Sequence, residues 1–167
     1  YNGSANSTST RLILTNSDDS SVLAGSATYT DATSLVTYTP ATYDIKLSRL
    51  NSDGDDISIL ETSMSLRQSY KHLLLLTGDY NNPELLKLEF LRDDSLTDTF
   101  KLYVVSLLPD DSAYDVYLSK SDSTFDDATL TATLNYSQIS SALEFDSGNY
   151  IIYITAAGSR DILFQSS

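Results

Sequence analysis

The sequence of 167 residues contains no cysteine, no tryptophan and a single histidine. The absence of cysteine excludes disulfide bonds, thiolate metal ligands and cysteine nucleophiles. A catalytic triad or a histidine-ligated metal cluster would have to be built around His72 alone. Because His72 lies between Lys71 and Leu73 at the start of an apolar run, we interpret it as a strand residue. We therefore assign no catalytic, cofactor-binding or metal-binding residues and expect a non-enzymatic protein without a cofactor.

Basic residues are also scarce. The chain has 10 Lys and Arg residues against 23 Asp and Glu residues, which gives a net charge of -13 at pH 7. This charge repels phosphate backbones and anionic membrane surfaces, so nucleic acid is excluded as a partner. The longest apolar run, Leu73 to Leu76, is far shorter than the roughly 20 residues of a membrane-spanning helix, and we expect no membrane span.

The residues that are abundant favour β-structure. Hydrophobic residues make up 41% of the chain, with twelve Tyr and five Phe, and Ser and Thr are frequent. Tyr, Phe and Thr favour strands, so this composition predicts an all-β fold with enough apolar residues for real cores. The length allows one large or two small domains.

One hairpin pattern occurs twice. The stretch 38–47 (YTPATYDIKL) is repeated in outline at 145–154 (FDSGNYIIYI). In both copies a tyrosine follows a turn and enters an alternating apolar run, and a polar loop then leads to a second apolar run, at 57–60 and 162–164. Such a repeat indicates tandem domains of related structure.

The entrance of each copy has the spacing of a tyrosine corner. In immunoglobulin-like sandwiches a Tyr at the start of a late strand hydrogen-bonds back to the preceding corner. Asp146-x-Gly148-x-Tyr150 has this spacing, and Tyr43 is in the equivalent position. We therefore predict two tandem immunoglobulin-like antiparallel β-sandwich domains, residues 10–95 and 98–167, with the boundary in the polar segment 92–98.

Alternating and continuous apolar runs locate the strands. Residues 85–91 have helix-favouring Leu, Lys and Glu, yet Leu86, Leu88 and Phe90 alternate with polar neighbours, which favours a strand. Asp53-Gly54 is typical of a tight turn with positive φ angles. The predicted strands are 11–15, 35–38, 43–47, 57–64, 73–77, 85–91, 100–107, 114–118, 130–134, 150–154 and 162–164.

The second copy is shorter than the first. The first repeat continues well beyond the point that corresponds to Ser167. The second domain therefore either lacks its closing strands because the native chain is longer, which we favour, or completes its sheet in another way. We expect an exposed edge strand near Ile162 to Gln165 that pairs with another chain.

Acidic clusters raise the question of calcium. Asn51-x-Asp53-Gly54-Asp55-Asp56 resembles the ligand spacing of a calcium loop, but Gly is not at the sixth position and no Glu is at the twelfth. We favour a plain hairpin tip. The pairs Asp110-Asp111 and Asp126-Asp127 are interpreted as solvated turn acids.

A carbohydrate site is the other alternative. A carboxylate pair can hydrolyse a glycosidic bond, although no Asp or Glu is distinguished by its sequence position. Aromatic platforms for sugars would have to use tyrosine. The surface-facing candidates are Tyr80, Tyr103, Tyr117 and Tyr153, although strand alternation favours packing roles for most of them.

The second repeat resembles a known bacterial family. Residues 104–118 (VVSLLPDDSAYDVYL) are similar to domain of unknown function 4397, whose members carry a Val-rich strand, a Ser-Pro-Asp turn and Val-Asp-Val-Tyr. Residues 148–150 resemble the family's Ala-Gly-Thr-Tyr turn. In the first repeat, residues 40–43 match this turn and 70–78 resemble the closing strand, but the Pro turn and the Val-Asp-Val-Tyr strand are lacking. The resemblance implies exported, often lipid-anchored β-sandwich modules of bacterial surfaces, and it assigns no particular catalytic or binding residues.

These observations predict a non-enzymatic exported module of the bacterial surface or periplasm, for binding, adhesion or spacing. The Ser/Thr/Asn-rich opening at 2–10, without an initiator Met, is typical of a tether after a removed leader, and a lipid anchor upstream of Tyr1 is one option. The alternatives are a glycan-binding accessory domain of a carbohydrate-active enzyme and a calcium-dependent adhesin. The expected partners are a cell-surface protein, a glycan or a second copy paired at the edge strand.

Overall fold

The chain folds entirely into antiparallel β-sheets. The structure is a computed structural model that describes residues 1–4, 9–51, 53–92, 98–108, 110 and 112–166. Within these ranges the only helical segment is a single 3-10 turn at Phe125–Asp127. The all-β prediction is confirmed, and the sandwich-like sheets are consistent with tandem immunoglobulin-like domains. Most of the predicted boundary segment, residues 93–97, lies outside the described residues.

The chain divides into two compact units, Tyr1–Arg92 and Asp93–Ser167. The strands of the first unit are β1 Thr10–Thr15, β2 Ser21–Ala27, β3 Ala41–Leu50, β4 Asp56–Leu66, β5 Tyr70–Gly78 and β6 Pro83–Leu91. Those of the second unit are β7 Thr99–Leu102, β8 Tyr114–Lys120, β9 Thr129–Leu134, β10 Leu143–Asp146, β11 Tyr150–Ala156 and β12 Ile162–Gln165.

Each unit contains a four-stranded sheet of the same topology. The strand order is β2-β1-β3-β4 in the first unit and β9-β8-β11-β12 in the second. In both sheets the first two strands form a hairpin, a later strand pairs with the free side of the first, and the last strand pairs beyond it. This is the order C′-C-F-G of an immunoglobulin-like sheet. The repeated sequence pattern therefore corresponds to a repeated F–G hairpin.

The units differ in their remaining strands. In the first unit β5 and β6 pair over their whole length, and the segment at Asn2 adds to β5 through a parallel bridge to Leu76. In the second unit β7 pairs with β10, which corresponds to the B–E pair of an immunoglobulin-like fold. Residues 145–146 were predicted to belong to the turn before Tyr150 and residues 143–144 were assigned to no element, so β10 is a strand that the sequence pattern did not indicate.

Alternation along β3 builds the core of the first unit. Tyr43, Ile45 and Leu47 are 7%, 1% and 5% exposed because successive side chains of a strand point to opposite faces. Tyr43 and Ile45 pack with Leu14 of β1, and the partly buried Leu74 of β5 and Leu85 of β6 pack against the same cluster. The predicted inward face of β3 is confirmed.

Both predicted tyrosine corners are present. The Tyr43 hydroxyl donates to the Thr39 carbonyl at 3.0 Å, and the Tyr150 hydroxyl donates to the Asp146 carbonyl at 2.9 Å. Each carbonyl lies four residues upstream of its tyrosine. The Tyr150 ring also packs against Phe100, with ring centroids 5.6 Å apart. The repeated tyrosines are therefore structural, since each ring is packed and each hydroxyl satisfies a corner carbonyl.

The predicted strand at Leu35 to Tyr38 is wrong. Residues 31–39 form no strand, and Leu35 is 83% exposed. The sheet instead uses β2, whose small residues gave only a weak apolar signal. A Cβ on Gly25 of β2 would lie 2.6 Å from Thr33 Cγ2, so the 31–39 segment packs against β2 so closely that any larger residue at position 25 would displace the Thr33 side chain.

Two other boundaries also differ from prediction. The expected strand 100–107 is reduced to β7, followed by an isolated bridge between Val105 and Ile139. Among the described residues of the hairpin tip, Gly54 alone has a positive φ, of 88°, so the Asp53-Gly54 turn uses one left-handed residue. Tertiary pairing determined these bounds, and the local pattern did not contain that information.

Replacing Gly78 with alanine should destabilise the first unit more than replacing Gly54. Both residues have positive φ, 77° and 88°, but a Cβ on Gly78 would lie 2.3 Å from the Asn82 carbonyl oxygen, whereas nothing lies within 4 Å at Gly54. We expect a loss of about 1 kcal/mol for Gly54→Ala from the backbone alone and about 3 kcal/mol for Gly78→Ala. Urea denaturation followed by circular dichroism measures the free energy of unfolding of both variants. Equal losses would show that the Asn82 carbonyl moves away from the new Cβ without a cost in free energy.

Removing a corner hydroxyl should destabilise the unit that contains it. Tyr43→Phe should cost about 1 kcal/mol, because the Thr39 carbonyl loses a donor in a partly buried setting. Tyr150→Phe should cost less, because its hydrogen bond is exposed. Tyr29→Phe is the control, since Tyr29 is 48% exposed. A control as costly as Tyr43→Phe in the same denaturation assay would remove the corner explanation.

Candidate functional site

The edge of the second unit is the most exposed apolar strand of the chain. Strand β12 is at the end of its sheet and pairs only with β11. Ile162, Leu163 and Phe164 are 44%, 61% and 54% exposed, and Gln165 is exposed as well. The predicted exposed edge strand is therefore confirmed, whereas its pairing with another chain stays a prediction.

Strand β12 is nevertheless held in a defined position. Phe164 pairs with Ile154 and Ile162 with Thr155, and the register shifts between the two pairs. Beyond the strand, Ser166 N–H donates to the Ile152 carbonyl at 2.9 Å, and Ile152 N–H donates to Ser166 Oγ at 2.9 Å. These bonds hold β12 against β11, so the outer side of β12 is an ordered strand edge.

Strand β12 has little of the protection that exposed edges usually have. Natural edge strands carry lysine, proline or inward charges, or are covered by other segments. Residues 162–165 contain no charged residue, proline or glycine. The register shift beside β12 is the one protective device of this strand among the described residues, so β12 offers both free backbone groups and apolar side chains.

The equivalent strand of the first unit is protected. Strand β4 has the same place in its sheet, but Lys87 of β6 reaches it. Lys87 Nζ donates to the Ser63 carbonyl at 2.7 Å and to Thr62 Oγ1 at 2.6 Å. Glu61 adds a charge within β4 itself. The two repeats thus present the same edge in a covered and an uncovered form.

A buried carboxylate supports the hairpin that carries β12. Asp115 in β8 is 4% exposed. Its Oδ2 accepts the Gly158 N–H at 2.8 Å, and its Oδ1 accepts the Thr133 hydroxyl at 2.5 Å. Asp115 therefore ties β9 and the β11–β12 turn to β8. Sequence reasoning gave this residue no role, although an aspartate inside the apolar run 114–118 was the available signal.

Side-chain oxygens of the acidic hairpin tip bond to groups of the chain itself. Asn51 Oδ1 accepts the N–H groups of Asp53 and Asp55 at 2.9 and 2.8 Å. Asp56 forms an ion pair with Arg11 at 2.6 Å. In the described ranges no group of three or more His, Cys, Asp or Glu residues is arranged to hold a metal ion. These bonds are those of a plain hairpin tip, and calcium binding stays untested.

The other turn acids also have local partners. Asp110 accepts the Tyr114 hydroxyl at 2.6 Å, and this bond raises the pKa of Tyr114. Asp127 accepts the Thr124 hydroxyl at 3.0 Å, and Asp126 lies 3.3 Å from Arg160. Asp111 lies outside the described residues.

Two of the tyrosines named as surface candidates are buried. Tyr117 and Tyr153 are 8% and 4% exposed because Phe125 of the 3-10 turn covers both, with ring centroids 5.2 and 4.9 Å away. Tyr80 and Tyr103 are 47% and 37% exposed and belong to different units. The Tyr80 ring is occupied by the Arg49 guanidinium at 4.6 Å.

His72 is a packed strand residue, in agreement with its interpretation from sequence. Its side chain is 10% exposed, its Nε2 accepts the Arg67 N–H at 3.3 Å, and its Nδ1 lies 3.4 Å from Glu89 Oε1. Glu89 also forms an ion pair with Arg67 and raises the pKa of that guanidinium. His72 therefore helps to hold the turn between β4 and β5.

Two cavities among the described residues are further candidate sites. One of 440 Å³ lies beside β9 and residues 138–141, and one of 560 Å³ lies within the first unit. Neither has an Asp or Glu among its described lining residues, so neither contains the carboxylate pair that glycoside hydrolysis requires.

Comparisons with family models, curated proteins and solved structures found no match. The resemblance to domain of unknown function 4397 thus stays a prediction. Among the described residues no helix is long and apolar enough to cross a membrane.

Removing the Asp115 carboxylate should destabilise the second unit. Asp115→Ala leaves the Gly158 N–H and the Thr133 hydroxyl without their acceptor, and we expect a loss of about 1–3 kcal/mol in urea denaturation. Asp126→Ala is the control, because the Asp126 side chain is 93% exposed, and its effect should stay within about 0.5 kcal/mol. Equal effects of the two substitutions would contradict the supporting role of Asp115.

Proposed function

We propose that this chain is a non-enzymatic, exported module of the bacterial surface or periplasm that adheres by pairing β12 with the same strand of a second copy. The observation that carries the proposal is the exposed apolar edge of β12. Addition of a strand to a free sheet edge is a common mode of recognition, in which backbone hydrogen bonds supply affinity and alternate side chains supply specificity.

The chemistry of β12 suits a second copy. Two identical strands that meet antiparallel satisfy two-fold symmetry, the commonest symmetry of protein dimers. Because residues 162–165 carry no charge, the pairing places no like charges directly opposite each other. Leu163 and Phe164, which are 61% and 54% exposed, would lose water-exposed apolar surface in the dimer.

The net charge of -13 gives the association a characteristic salt dependence. Two copies with the same large charge repel each other, and salt screens this repulsion. Self-association through an uncharged strand should therefore strengthen as salt is added. A basic partner would show the opposite dependence, which separates the two kinds of partner.

Export and surface location are supported by the sequence. The tether predicted for the opening 2–10 is wrong at both of its ends, because Asn2 bridges to Leu76, Ser4 is buried and Thr10 begins β1, so the proposal of export depends on the family resemblance. The resemblance of residues 104–118 to domain of unknown function 4397 implies exported modules, often with a lipid anchor. An anchored module with a weak adhesive edge gains strength when many copies face one another on two surfaces.

Sedimentation equilibrium of the full chain over a concentration series, at low and high salt, tests the proposal. We expect a monomer–dimer equilibrium that shifts toward dimer as salt increases. Leu163→Lys should weaken dimerisation at least about tenfold, because it adds a charge to the strand and removes apolar surface. Beads coated with the chain should cluster, and beads coated with Leu163→Lys should not.

Ile57→Lys is the matched control. Ile57 lies in the equivalent strand β4 and is 50% exposed. Its replacement by Lys changes the net charge by the same amount as Leu163→Lys. It should dimerise and cluster as the unaltered chain does. A chain that stays monomeric at both salt concentrations, or a Leu163→Lys variant that dimerises like the unaltered chain, would refute the proposal.

A further inference from the structure

The first unit contains an apolar cavity between its two layers of strands. Its volume is 560 Å³, which is within the range of small-molecule sites and far above the space of a single water. Leu14, Leu47 and Leu76, each 4–5% exposed, form buried parts of its wall. Met64 of β4 and Leu85 of β6 line it as well.

The cavity exists because small residues stand where a sandwich core usually has large ones. Ala24, Gly25 and Ala27 of β2 line it, together with Ala32 of the crossing segment. Leu35 of that segment lines the cavity but is 83% exposed, so its side chain does not fill the space. Protein interiors are normally close-packed, and a space of this size lined by leucine and alanine suits a hydrocarbon group.

The polar end of the cavity is positive. Among the described residues, its charged lining side chains are Arg67, Lys71 and Arg92, with His72 beside them and with no Asp or Glu. The charged residues of this lining are basic, whereas the chain as a whole has 23 acidic and 10 basic residues. The three cations are all exposed, so they stand where the cavity meets solvent.

The backbone brings these cations together at one place. Arg67 and Lys71 flank the turn between β4 and β5, and Arg92 follows β6. Arg92 N–H donates to the Ser69 carbonyl at 2.8 Å, which joins the end of β6 to that turn. Glu89 neutralises Arg67 through their ion pair. Lys71 takes part in no ion pair within the described ranges, which leaves its charge available to a ligand.

From these observations we infer that the first unit binds a long-chain carboxylate, with its hydrocarbon tail in the cavity and its carboxylate beside Lys71. The apolar wall accepts the tail, since burial of each methylene is favourable. The cationic mouth selects an anionic head over a cationic one. This site is independent of the β12 edge, which belongs to the other unit.

Isothermal titration calorimetry of the full chain with laurate, below its micelle concentration, tests the inference. Dodecyltrimethylammonium is the matched probe, because it has the same chain length and the opposite charge. We expect laurate to bind with one-to-one stoichiometry and dodecyltrimethylammonium to bind at least about tenfold more weakly. Equal affinity for the two, or no heat of binding with laurate, would overturn the inference.

Two variants locate the site. Lys71→Glu should weaken laurate binding about fivefold or more, because it reverses an exposed charge at the mouth. Ala24→Leu should abolish binding by filling the cavity. Lys120→Glu, an exposed residue of the second unit, is the control for the change in net charge. Circular dichroism verifies that each variant is folded. If Ala24→Leu is unfolded, Lys71→Glu alone tests the site. Equal weakening by Lys71→Glu and Lys120→Glu would refute the site.

Discussion

The hydrogen bond from a corner tyrosine to the carbonyl four residues before it is the constraint on which each unit depends. It closes the turn that leads into the central strand, at Tyr43 for β3 and at Tyr150 for β11. Since side chains alternate along a strand, fixing the first residue also determines which side chains face inward. In the first unit that choice places Ile45 and Leu47 in the core.

The two units share this sheet and differ in what accompanies it. In the first, the β5–β6 hairpin supplies Lys87, which satisfies a carbonyl of the edge strand β4. In the second, β7 and β10 pair with each other, and the equivalent strand β12 is exposed. One architecture therefore yields a covered edge and an open one. The first unit also has a cavity between its strand layers, lined in part by the small residues of β2.

Much of the fold was predictable because it rests on local patterns. The two corners follow from a tyrosine at a set distance after a turn. Strand β6 followed from the alternation of Leu86, Leu88 and Phe90, in spite of a composition that favours helix. Strand β2 and the exposed course of residues 31–39 were not predictable, because Gly25 and its neighbours have little apolar signal and the crossing depends on contact with Thr33. Local propensity for strand is weaker than the packing that surrounds it.

The candidate sites divide in the same way. The exposed edge at β12 was predicted by comparing the two repeats, since the second one ends its pattern early. The role of Asp115 was not predicted, because Gly158 and Thr133 are distant in sequence and contact its carboxylate only in the folded chain. The burial of Tyr117 and Tyr153 was not predictable either, because both rings are covered by Phe125, which lies in a polar loop. Composition and periodicity were thus sufficient for the fold class and for the buried face of β3, because each depends on neighbours in sequence, whereas the open edge was predicted from the comparison of the two repeats. The cavity, its positive mouth and the buried carboxylate emerged only from tertiary structure, because they join side chains that the sequence keeps far apart.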